Sequence, residues 1–183
     1  VNSNLEKKYI TGRAKEKEIN KNEFSNLRED IHEDTLSTLG LCIKELNLNH
    51  NIAKQSIMNF KTLMHRYQKI NTNDGIQWIN DSKATTPLAT LTAIERTPIG
   101  SIVLMGGSNK DLSYKTTLEK IKKKKMKLIP FGDISHALHE EANKLSVDSS
   151  KPCKSLKKAI QKAKNNGKGK TILLSPGTAS FDE

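Results

Sequence analysis

Asp81-Ser82-Lys83-Ala84-Thr85 sets an acid, a hydroxyl, a lysine and a second hydroxyl side by side. The segment follows a short apolar run, Ile76-Gln77-Trp78-Ile79, and precedes Pro87 and a helix-like stretch. These groups therefore fall in the turn between a strand and a helix. In open α/β sheets such turns line the carboxyl edge, where ligands bind. The start of the following helix also aims backbone N–H groups at an anion. Two further strand ends carry matching chemistry. Gly106-Gly107-Ser108-Asn109-Lys110 follows Ile102-Val103-Leu104-Met105, and Ser175-Pro176-Gly177-Thr178-Ala179-Ser180 follows Ile172-Leu173-Leu174. Two of these loops hold a lysine and all hold hydroxyls, which suits a polyanionic ligand.

Such loops need a scaffold, and the pattern supplies one. Strands are predicted over Ile76 to Ile79, Ser101 to Met105, Lys127 to Phe131 and Thr171 to Leu174, with a short one at Leu145 to Asp148. Pro130 assigns its strand to an edge or to a strand end. Helices are predicted over Pro87 to Arg96, Tyr114 to Lys124, Ser135 to Lys144 and Ser155 to Lys164, the last closed by Asn166-Gly167. Thr85 or Thr86 caps the first, with Pro87 in its first turn. This alternation predicts an α/β fold, a Rossmann-like, mostly parallel sheet with helices on both faces.

Upstream, Leu36, Leu39, Ile43 and Leu46 fall at helical steps. After a turn cluster at Asn47 to Asn51 a second helix buries Ala53, Ile57, Phe60 and Leu63. Residues 1 to 26 are polar and poorly periodic. The helical tail of one domain, residues 1–64, is thus expected to precede a second domain over 65–183, truncated at its end.

Composition narrows the classes. No apolar run reaches the roughly 20 residues of a membrane span, and no charged-then-apolar stretch marks export, so none is expected. Cys42 and Cys153 lie far apart, with neither metal-ligand spacing nor a disulfide framework. A reducing, cytoplasmic setting is expected, with no membrane partner. The net charge of +11 comes mainly from lysine runs such as Lys122 to Lys125. The eight aromatic residues do not alternate with those runs, so stacking on nucleic acid is not supported. The lysines read as solvated helix faces, and no nucleic-acid partner is expected. The chain starts at Val1 and stops at Glu183, directly after an apparent motif, and is read as a fragment.

In order and spacing, His65-Arg66-Tyr67, Asn80 to Thr85, the Gly-Gly-x-x-Lys at Gly106 to Lys110, and Leu174 to Asp182 resemble the Mur ligases. The similarity runs from about Leu36 to the end. Sister ligases and folylpolyglutamate synthases typically place Asp-Tyr-Ala-His or Asp-Gly-Ala-His where this chain has Asp81-Ser82-Lys83-Ala84. The likeness is therefore strongest to members that join D-glutamate to UDP-N-acetylmuramoyl-L-alanine, using ATP and Mg²⁺, as a monomer.

Such a ligase activates a carboxylate as an acyl phosphate and lets an amine displace the phosphate. The protein's task is positioning and charge neutralisation. Lys83 suits it as a point charge at a helix start, meeting a phosphate or a substrate carboxylate; the plainer reading is a surface lysine. Asp81 has the geometry to hold a ribose hydroxyl or orient Lys83, and by resemblance it contacts nucleotide. The plainer reading is a helix N-terminal charge worth about 0.3–1 kcal/mol. By resemblance Arg66 reaches nucleotide, Lys110 and Thr85 hold one carboxylate of D-glutamate, Ser180 the other, and Phe181 shapes the pocket. No metal ligand is assigned.

Three departures stand beside the likeness. Thr86 replaces the usual Asn. Ile31-His32-Glu33-Asp34-Thr35 lacks both asparagines expected near the adenine. No Gly-rich loop ending in Lys-Ser or Lys-Thr occurs, so the phosphate cradle and Mg²⁺ ligands are expected upstream of Val1. A related ligase with another amino-acid substrate, or a degenerate non-catalytic binding module, are the alternative readings.

Overall fold

The computed structural model describes residues 22–28, 30–108 and 112–179. Two compact units are present, Val1–Thr62 and Leu63–Glu183. In the first, α1 (Glu33–Glu45) and α2 (His50–Asn59) follow a short turn. His32 caps α1 by accepting from the Asp34 N–H, and Asn49 caps α2 by accepting from the Ile52 N–H at 3.1 Å. Each cap satisfies a donor the helix itself cannot use. Leu36, Ile43 and Ile57 pack around Phe24. The helical steps overstated this face, because Leu39 and Leu46 are exposed. Phe60 and Leu63 are exposed as well, since α2 ends at Asn59.

The second unit holds a five-stranded sheet: β1 (Gln68–Asn71), β2 (Gln77–Asn80), β3 (Ile102–Gly106), β4 (Lys127–Phe131) and β5 (Thr171–Leu174). Their order is β1-β2-β5-β3-β4. Only the β1–β2 pair is antiparallel. The sheet is thus mostly parallel, as the alternation of patterns predicts. In β3 every residue is buried, which explains its unbroken apolar run. Successive side chains still face opposite sides. Val103 and Met105 enter one core with α3 (Pro87–Arg96), α4 (Lys115–Lys123) and α5 (Ser135–Lys144). Ile102 and Leu104 enter the other with Ala159 and Ala163 of α6 (Leu156–Asn166).

One strand escapes the sequence pattern and one local expectation fails. Gln68–Asn71 has no apolar alternation, yet it forms the edge strand β1 through register with β2. The expected strand at Leu145 to Asp148 is a turn, with Ser146 at φ 56°. Its end meets β4 at an isolated parallel bridge between Leu128 and Ser149, and Leu128 N–H donates to Asp148 O at 2.8 Å. Pro130 does sit in an edge strand, β4, where its missing N–H is tolerated.

Candidate functional site

Because β5 lies between β2 and β3, the loops leaving these three parallel strands are neighbours. Backbone bonds join them directly. Asp81 N–H donates to Leu174 O at 2.8 Å, Gly106 N–H to Pro176 O at 3.0 Å, and Gly177 N–H to Ala84 O at 2.9 Å. Ser108 N–H donates to Ala179 O at 3.0 Å, while the Thr178 hydroxyl donates to Ser108 O at 2.8 Å. Close approach demands glycine. A Cβ on Gly106 would lie 1.9 Å from Phe131 O, and one on Gly107 2.9 Å from Ala179 O. The edge is one continuous surface.

Asp81 is the buried centre of that surface. One carboxylate oxygen accepts from the Tyr67 N–H at 3.0 Å and the other from the Ser175 hydroxyl at 2.9 Å. Ser175 is fully buried and also lies 3.0 Å from the Thr90 hydroxyl of α3. Burial raises the Asp81 carboxyl above its usual range. The Ser175 and Tyr67 donors oppose that rise, aided by the charges of Arg96 and Arg66. Each oxygen keeps a further lone pair. The Asp81 carboxylate therefore ties strand ends together before it meets any ligand.

The same turn grips His65-Arg66-Tyr67. His65 and Tyr67 have φ of 65° and 46°, a left-handed backbone that costs a residue with a side chain roughly 1–2 kcal/mol. Hydrogen bonds hold it there. Lys83 N–H donates to His65 O at 3.2 Å, and His65 N–H to the Gln68 side-chain oxygen at 3.0 Å. Ser82 N–H takes the Asn80 side-chain oxygen, so the Asn80 amide faces His65 and donates to Nδ1 at 2.9 Å. His65 thus has a structural task. Tyr67 is fixed by its hydroxyl, 3.1 Å from that of Thr97, and by the Arg96 guanidinium 4.0 Å from its ring centroid.

This clamp leaves two cations outward. Arg66 and Lys83 are both exposed, in turns that backbone bonds join. Among the described residues neither side chain has an ion-pair partner. Thr85 is exposed also, whereas Thr86 caps α3 by accepting from the Ala89 N–H. Lys110, Ser180 and Phe181 lie outside the described residues. Among the described residues no three His, Cys, Asp or Glu side chains gather as a metal site, and no helix is long and apolar enough to cross a membrane.

The sequence pattern assigns no partner to Ser175 and no role to Thr90. Ser175 reaches Asp81 from 94 residues along the chain, and Thr90 of α3 lies against the Ser175 hydroxyl. The signal available was a hydroxyl directly after an apolar strand, in Leu173-Leu174-Ser175.

Comparison with known proteins agrees with this geometry. No family model matches the chain. The UDP-N-acetylmuramoylalanine–D-glutamate ligase of Chlorobium limicola is 33% identical over 139 residues, 75% of this chain and 29% of that protein. The ligase of the same name from Pseudothermotoga lettingae is 30% identical, covering 88% of this chain and 37% of its own length. In Lachnoclostridium phytofermentans the identity is 28%, over 97% of this chain and 40% of the relative. The chain thus spans about a third of the length of the curated relatives it matches. Among solved structures, MurF of Acinetobacter baumannii superposes with a TM-score of 0.57 at 12% identity, over 80% of this chain and 34% of that one. A bifunctional folylpolyglutamate synthase/dihydrofolate synthase from Yersinia pestis gives 0.56 at 17%, over 80% and 36%. At such identities the structures share a fold, whereas the sequence matches reach across most of the chain. By these sequence matches the chain belongs to the Mur ligase family.

Proposed function

We propose that this chain is the C-terminal part of an ATP- and Mg²⁺-dependent ligase that joins D-glutamate to UDP-N-acetylmuramoyl-L-alanine. The observation that carries the reading is the fused edge itself. Three loops bonded to one another, with the His65–Tyr67 turn held against the first of them, present Arg66, Lys83 and Thr85 outward, in a chain similar to ligases of that name. Residues 1–64 belong, in this reading, to the central ATPase domain and 65–183 to the amino-acid-binding domain. The enzyme acts in the cytoplasm as a monomer.

The muramoyl substrate's carboxylate attacks the terminal phosphorus of ATP, ADP leaves, and an acyl phosphate forms. The amine of D-glutamate then attacks the acyl carbon and phosphate departs, with loss of a proton from nitrogen. Lys83 neutralises the transferring phosphoryl group and the substrate carboxylate, as preorganised charge does in water-poor sites. Arg66 meets the nucleotide phosphates. Asp81, with one lone pair left on each oxygen, accepts from a nucleotide hydroxyl. Thr85 and Lys110 hold one carboxylate of D-glutamate, Ser180 holds the other, and Phe181 walls the pocket. The phosphate cradle and the Mg²⁺ ligands come from the upstream part.

The test is phosphate release by the full-length protein with ATP and UDP-N-acetylmuramoyl-L-alanine, comparing D-glutamate with L-glutamate, L-lysine and diaminopimelate. Release that depends on D-glutamate supports the reading. Dependence on another amino acid would assign the chain to a sister activity, and no release would leave a binding module. A charge-assisted bond is worth about 1.5–3 kcal/mol, so Lys110→Ala should raise the KM for D-glutamate roughly ten- to a hundredfold.

A further inference from the structure

Arg66 is exposed between two residues of left-handed backbone, His65 at φ 65° and Tyr67 at φ 46°. The Cβ of each disfavours that backbone, so bonds beyond the turn must hold it. Tyr67 makes two of them, from opposite ends. Its N–H donates to the Asp81 carboxylate at 3.0 Å, and its phenol oxygen lies 3.1 Å from the Thr97 hydroxyl, in buried surroundings. The Thr97 hydroxyl gives its own proton to Ala93 O at 2.8 Å. The Tyr67 phenol is therefore the donor of the pair and Thr97 the acceptor.

The acceptor is itself fixed. Thr97 follows the last turn of α3, is fully buried, and donates its N–H to Ile94 O. Lys124, just past α4, donates from its ammonium to Ile94 O at 3.0 Å, to Glu95 O at 2.9 Å and to Thr97 O. A helix has no donors of its own left for the carbonyls at its end, and a cation there also suits the helix dipole. Lys124 O in turn accepts from Gly100 N–H at 3.0 Å. Arg96, one residue before Thr97, sets its guanidinium 4.0 Å from the Tyr67 ring centroid. The turn that carries Arg66 is thus moored on one side to Asp81, at the end of β2, and on the other to a helix end that Lys124 holds down. A bare ring would fill the same space; the phenol oxygen adds a bond with a direction.

We propose that Tyr67, with Thr97 as its acceptor, is a positioning residue for Arg66. The bond from the phenol to the end of α3 fixes the turn, and so the direction in which it presents the guanidinium to nucleotide phosphate. This inference rests on the reading of Arg66 as a nucleotide contact, whereas the mooring of the turn needs no ligand. Tyr67 is buried and touches no nucleotide; it acts through its neighbour.

Tyr67→Phe keeps the ring and removes only the bond. In the 183-residue chain, amide exchange at residue 67 and at Lys83, whose N–H groups tie the turn down, should quicken roughly two- to tenfold, the range of one net hydrogen bond. β3 and β5 should keep their protection. Unchanged exchange at both amides would overturn the proposal, as would an equal change across the whole domain. Thr97→Val should have the same effect, and in that background Tyr67→Phe should add nothing; an undiminished effect would overturn the pairing. In the full-length enzyme, Tyr67→Phe should raise the KM for ATP by a similar factor and leave kcat and the KM for D-glutamate unaltered. With Arg66→Ala already present it should raise the KM for ATP no further, and an undiminished rise would show that Tyr67 does not act through Arg66. If Arg66→Ala leaves the KM for ATP unchanged, the nucleotide reading of Arg66 fails and this inference with it. If Arg66→Ala raises that KM and Tyr67→Phe does not, the inference alone fails.

Discussion

Ser175 and Asp81 stand 94 residues apart in sequence, yet the Ser175 hydroxyl donates to the Asp81 carboxylate at 2.9 Å in the buried floor of the sheet edge. The bond joins the end of β5 to the end of β2. Every outward group of the site sits on a loop that this bond, or one beside it, holds in place. Ser175→Ala should strip a donor from a buried carboxylate and cost about 1–3 kcal/mol. Thermal unfolding of the chain would register the loss. A variant as stable as the parent would show that Asp81 finds another donor.

The burial of Asp81 has a pH consequence. Its folded carboxyl lies above the ordinary 3.8, so the folded state holds the proton to higher pH than the unfolded chain does. Stability contributed at this site is therefore present below the unfolded value. It declines as pH rises through the folded one and is flat above it. Asp81→Asn keeps an acceptor for Tyr67 N–H and removes the titration. The difference in unfolding free energy between parent and variant should shift in favour of the variant as pH climbs from about 3.8, and urea unfolding across pH would show it. A difference that shifts the other way would mean the donors outweigh desolvation.

Glycine matters at Gly106 for a reason absent at Gly75. Both have positive φ, but only Gly106 would drive a Cβ to 1.9 Å from a backbone oxygen, whereas Gly75 has open space around it. Gly75→Ala should cost roughly 1–2 kcal/mol of backbone strain. Gly106→Ala should cost well above 3 kcal/mol, since β3 and β4 must part. Equal midpoints in denaturant would contradict the close packing of these strands.

Lys83 is exposed and, among the described residues, without an ion-pair partner, so it should matter little for folding. Lys83→Ala should leave stability within about 0.5 kcal/mol. In the full-length enzyme it should lower turnover about a hundred- to thousandfold, the loss typical of one preorganised electrostatic group. Arg66→Ala should raise the KM for ATP more than that for D-glutamate. The reverse pattern would move Arg66 away from the nucleotide.

Short-range pattern carried much of this molecule. Apolar runs ending in Gly-Gly, Ser-Pro-Gly or Asn-Asp-Ser-Lys mark parallel strands that open into loops at the carboxyl edge, because strand pattern and turn chemistry are both written within a few neighbouring residues. The α/β class, three of the loops and the outward cations were legible on that basis. β1 was not, since Gln68–Asn71 has no face to bury and is a strand only because β2 offers it hydrogen bonds. Ser146 looked like strand because its neighbours are apolar; its left-handed backbone is set by the end of α5. Above all, the linkage of Asp81 to Tyr67 and Ser175 could come only from the tertiary structure. Residue types say that a carboxylate is present, but which donors reach its two oxygens depends on strand order, and strand order is decided by how the whole sheet packs.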